Sequence, residues 1–171
     1  PAAATSDPVS TGLVVSSRDS ETILVARLLE ALLPASVAGA IGVAVSDDAV
    51  ATTMLAEARV VCLVLSSDVL YDRGVPELVA APLRRGAALV TVIASAAVAF
   101  PTLDFFQQVE AGNRLSLGGS RGGEEAVGDG EIAEVYRAIF RILALEFTPL
   151  ASFLTVHRQG KSIGRHLTEK H

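Results

Sequence analysis

Six consecutive apolar residues, Val60-Val61-Cys62-Leu63-Val64-Leu65, constrain this chain more than any other stretch of it. A strand with one wet face alternates apolar and polar side chains, because successive residues point to opposite sides of the sheet. A strand that does not alternate is buried on both faces, and that is the condition of a parallel sheet covered by helices. Parallel neighbours in turn require a crossover connection of a dozen or more residues, usually a helix. The rest of the chain has to supply that alternation.

It does so in order. Gly12 to Ser16 reads as a first strand, followed by Asp19 or Ser20 as the cap of an amphipathic helix with Ile23, Leu24, Leu28, Ala31 and Leu32 on its apolar face and Pro34 at its end. Ile41 to Val45 is a second strand, and Ser46-Asp47-Asp48 offers a helix start for Ala49 to Ala58. After the third strand, Pro76 suits the first position of a helix that Pro82 kinks or shortens and Gly86 stops. Ala88 to Ile93 is a fourth strand, Leu103 to Glu110 a short helix, and Arg114 to Leu117 a fifth strand at a sheet edge. A glycine-rich loop, Gly118 to Gly130, leads to a last helix with Ile132, Val135, Tyr136, Ile139 and Leu143 on one stripe. This pattern predicts an α/β fold, a flavodoxin-like doubly wound five-stranded parallel sheet with helices on both faces.

Three segments follow from the change in character along the chain. Residues 1–11 read as a flexible lead-in, 12–149 as the α/β domain and 150–171 as a basic C-terminal extension. The extension holds both lysines and all three histidines, and its glycines and charges predict a peripheral appendage beyond Pro149. A single cysteine, Cys62, excludes a disulfide within the chain and cysteine-based metal sites, and points to a reducing compartment. The net charge of -5 disfavours nucleic acid, whose phosphates demand a basic face. Every apolar run is broken before the roughly 18 residues that a membrane span needs, so the expectation is a soluble, cytoplasmic protein.

In open parallel sheets, ligands sit beyond the carboxyl ends of the strands. Here those loops carry Ser16-Ser17-Arg18-Asp19, Ser46-Asp47-Asp48, Ser66-Ser67-Asp68 and Ala94-Ser95. Ser16, Ser17, Arg18, Asp47 and Ser66 are the candidates for holding a polar ligand, against the alternative that such residues merely cap the following helices. Other motifs fail on context. Gly118-Gly119-Ser120-Arg121-Gly122 has the letters of a nucleophile elbow without the tight strand-to-helix turn. Gly160-Lys161-Ser162 follows no strand and lacks the first glycine of a phosphate loop. His157, His166 and His171 have no ligand spacing, so no metal site is expected. A phosphoacceptor receiver domain would end its third strand in aspartate, where this chain has Leu65-Ser66, and would need a lysine before Lys161.

Several segments in order resemble the Toll/interleukin-1 receptor (TIR) domain family: Leu13 to Arg18 its first-strand box, Ala58 to Ser66 its third strand, Glu77 to Ala80 the acidic start of the next helix, and Leu115 to Leu117 its short last strand. The chain departs from the family at Arg73, where a tryptophan is common, and in the short loop after Val45. The resemblance implies self-association with a second copy or with other TIR-like domains, with no cofactor required. For enzymatic members it implies cleavage of the nicotinamide–ribose bond of NAD as substrate, with Glu77 in the place of the catalytic acid. A carboxylate there would stabilise an oxocarbenium-like transition state, whereas the same residue one step after Pro76 also suits a helix N-terminus.

Overall fold

The computed structural model describes residues 11–16, 19–33, 41–46, 50–94, 98–112 and 127–170. The strands are β1 (Thr11–Val15), β2 (Ile41–Val45), β3 (Val60–Leu65), β4 (Ala88–Ile93) and β5 (Leu145–Glu146). They form one five-stranded sheet in the order β2-β1-β3-β4-β5, and every pair is parallel. The chain steps outward from β1 to β2 and then returns past β1 to β3, which is the flavodoxin-like order with its reversal between β1 and β3. The described helices are α1 (Ser20–Leu32), α2 (Ala51–Leu55), α3 (Gly74–Arg84), α4 (Leu103–Glu110), α5 (Asp129–Arg141) and α6 (Phe153–Glu169), with a 3-10 turn at Val69–Tyr71.

The centre of the sheet is built as its composition predicts. Val61, Leu63 and Leu65 face one apolar layer with Leu78 and Val79 of α3, Phe105 of α4, and Ile132, Tyr136 and Ile139 of α5. Val60, Cys62 and Val64 face the other, with Val25 and Leu29 of α1 and Ile163 and Leu167 of α6. Burial pushes the Cys62 thiol up to about 12, because the thiolate would lose its hydration.

Local chemistry accounts for the helix ends. The Asp19 carboxylate accepts hydrogen bonds from the Glu21 and Thr22 amides and so caps α1. α3 begins at Gly74 rather than at Pro76, and its first internal bond runs from the Glu77 amide to the Arg73 carbonyl. Pro76 therefore sits where its missing N–H costs nothing. Pro82 lies within the last turn, and Gly86, at φ 84, stops the helix in the left-handed conformation.

Three expectations are corrected, and a fourth falls on residues that are not described. The buried stripe of α1 is Thr22, Val25, Ala26 and Leu29, while Leu24 is 70% exposed. The helix over 49–58 is shorter, at Ala51–Leu55. α5 ends at Arg141, so Leu143 leaves its stripe and points to solvent; the chain turns extended at Ile142 and pairs with β4 as β5, where the Phe147 amide donates to the Ile93 carbonyl. The expected strand at Arg114–Leu117 lies outside the described residues.

The largest correction concerns the C-terminal segment, which is no peripheral appendage. Val156, Gly160, Ile163, Gly164 and Leu167 form a buried helical stripe on α6. A Cβ on Gly160 would stand 3.1 Å from Leu32 Cβ, so this glycine lets α6 approach α1 rather than breaking the helix. Since Leu167 is fully buried, Leu167→Ala should cost about 2–5 kcal/mol by urea denaturation. An unchanged midpoint would detach α6 from the core. The Cys62 thiol should resist iodoacetamide at pH 8 until urea unfolds the chain.

Candidate functional site

Three strands end in a buried serine at the carboxyl edge of the sheet: Ser16 after β1, Ser46 after β2 and Ser66 after β3. Two of them converge on a residue from a fourth segment. Asp72, buried between the 3-10 turn and α3, accepts hydrogen bonds at Oδ2 from Ser16 Oγ at 2.6 Å and Ser46 Oγ at 2.5 Å. Its Oδ1 accepts from the Gly74 amide at 3.0 Å, at the opening of α3. The carboxylate thus ties two strand ends to a helix N-terminus, where the macrodipole favours negative charge. Close packing leaves no room for a side chain beside it, since a Cβ on Gly74 would stand 2.7 Å from the Ser46 carbonyl oxygen.

The next residue starts a second network. Arg73 donates from Nε to Glu77 at 2.7 Å and from Nη2 to the Val127 carbonyl at 3.4 Å, and its Nη1 stands 3.2 Å from an Asp129 carboxylate oxygen as an ion pair. One guanidinium therefore joins the first turn of α3 to the start of α5. The Glu77 side chain is 13% exposed and that of Arg73 19%, so the pair is shielded from most of the solvent. Tyr136 Oη adds a second link from α5, donating to the Val69 carbonyl at 3.1 Å.

Among the residues proposed from sequence, Ser16 lies in the Asp72 network and Glu77 on the first turn of α3, both at the carboxyl edge. Ser66 is also at that edge, and its buried hydroxyl has no hydrogen-bond partner among the described residues. Ser17, Arg18 and Asp47 lie outside the described residues. Asp72 was not among the sequence candidates. Its signal is an acid just before an Arg-Gly pair that opens a helix, in a chain whose first three strands each end in serine.

The other half of the carboxyl edge is apolar. Outside the ends of β3 and β4 lies a groove of about 350 Å³ lined by Leu65, Ile93, Phe100, Ile139, Phe140 and Arg141, among others. Among the described residues no group of three His, Cys, Asp or Glu side chains could hold a metal ion, and no helix is long and apolar enough to cross a membrane. Neither the comparison with models of protein families nor that with curated proteins finds a match to this chain.

The Arg73 network predicts a specific cost. Arg73→Ala leaves the Glu77 and Asp129 carboxylates without this cation, and the loss should be about 1–3 kcal/mol, between that of exposed and of buried ion pairs. Urea denaturation at low salt measures it, and a loss under about 0.5 kcal/mol, within the range of ordinary surface substitutions, would show the network to be ornamental.

Proposed function

We propose that this chain is a TIR-like interaction module working through homotypic association, with a second copy or another TIR-like domain as partner, and that NAD cleavage is not its role. The observation that carries the choice is the capture of Glu77 by Arg73 at 2.7 Å. An oxocarbenium-like transition state is stabilised by a carboxylate whose charge is free to face it. Here the carboxylate of Glu77 already faces a guanidinium, and that cation stands at the position where the family commonly carries tryptophan. Glu77 thereby acts as a joint between α3 and, through Arg73, α5.

Association is supported by apolar surface at the start of α6. Leu150, Phe153 and Leu154 fall within five residues and are 91%, 76% and 74% exposed. Clustered exposed apolar side chains mark interaction surfaces more often than scattered ones do. Covering two of them by a partner contributes about 1.5–3 kcal/mol each when burial is complete.

Two measurements check this reading. Purified chain incubated with NAD should release no nicotinamide above the background rate. Turnover by the wild type that Glu77→Gln abolishes would establish the enzymatic reading instead. Sedimentation equilibrium should show reversible self-association that weakens at least tenfold in the Phe153→Ser, Leu154→Ser double variant. A chain that stays monomeric up to about 1 mM, or a variant that associates as the wild type does, contradicts association through this surface.

A further inference from the structure

We infer that the groove outside the carboxyl ends of β3 and β4 binds a small amphiphile with an apolar body and one anionic head, of the class of a medium-chain carboxylate. The lining is the first observation. Leu65 and Ile139 form a buried floor, Ile93 flanks it, and Phe100 and Phe140 meet edge to face at 6.0 Å on one wall. Arg141 carries the only polar side chain among the described lining residues. An adjoining cavity of about 410 Å³ shares Phe100, Phe140 and Arg141, so the apolar channel continues past the cation. These volumes lie in the range of small-molecule sites, which are mostly apolar with a few placed polar groups.

Charge selects the occupant. Arg137, beside Arg141 in the adjoining cavity, is held by both Glu110 and Glu134 and lies over the Phe106 ring. Arg141 has no acidic partner among the described residues, and it is exposed. Among the described residues, Arg141 is therefore the cation available to a ligand head. Glu110 and Glu134, both paired with Arg137, exceed it by one charge, which disfavours a ligand with a second anionic group. The arrangement suits a single carboxylate on Arg141 with its chain along Phe100 and Phe140. The groove is separate from the Leu150–Leu154 surface, so this inference does not rest on association.

Calorimetric titration of the full chain with hexanoate, octanoate and decanoate, below the micelle-forming range, tests it. Affinity should rise with length, by up to about fourfold for each methylene that is buried. Arg141→Gln should weaken decanoate at least fivefold while leaving decanol binding and the melting curve unchanged, because the side chain is exposed and outside both cores. Phe100→Ala should weaken decanoate and decanol alike. Absence of saturable decanoate binding, affinity independent of chain length, or decanoate binding unaffected by Arg141→Gln would overturn the inference.

Discussion

The Asp72 carboxylate is the contact on which the carboxyl edge depends. It gathers Ser16 and Ser46, which lie 56 and 26 residues away in sequence, and it accepts a hydrogen bond from the amide of Gly74, the first residue of the helix that follows. Burying a carboxylate is expensive unless its oxygens are satisfied. Here two hydroxyls and one amide satisfy it, and hydrogen bonds to a charged group contribute about 1.5–3 kcal/mol each. Because Asp72 sets where α3 begins, it also sets where Arg73 and Glu77 stand. The ion pairs of Arg73 then position the start of α5, so one buried acid orders two helices against three strand ends.

The two halves of the carboxyl edge are chemically different. On the β1 and β2 side the described residues form the polar cluster of Ser16, Ser46 and Asp72, all three buried. On the β3 and β4 side it is open, apolar and rimmed by Arg141. The reversal between β1 and β3 is where this kind of sheet usually holds a ligand. In this chain Ser16, beside that reversal, is bonded to Asp72, and among the described residues an apolar groove lies one strand further along. Arg73 likewise holds Glu77 in an ion pair that joins the first turn of α3 to the start of α5.

Much of the fold was legible because burial leaves a one-dimensional trace. β3 announced itself by the loss of alternation and the start of α1 by Asp19, whereas α3 opens two residues before Pro76. The α1 stripe was misplaced because both Leu24 and Val25 are apolar, and periodicity alone does not choose between two adjacent apolar faces. β5 was missed because two residues of edge pairing, Leu145 and Glu146, carry no pattern. α6 was misread because Gly160 and Gly164 resemble helix breakers, whereas in the structure both are buried and Gly160 lets α6 approach α1. The site was half legible for a similar reason. Serines at strand ends are visible in sequence, but their convergence on Asp72 exists only once the sheet has formed.

A double-mutant cycle on Ser46→Ala and Asp72→Ala, read by urea denaturation, tests the central claim most directly. If Asp72 holds the strand end to the helix, the two losses should fall short of additivity by at least about 1 kcal/mol, because each substitution removes the same bond. Losses that add within about 0.3–0.5 kcal/mol, the range for independent sites, would contradict it.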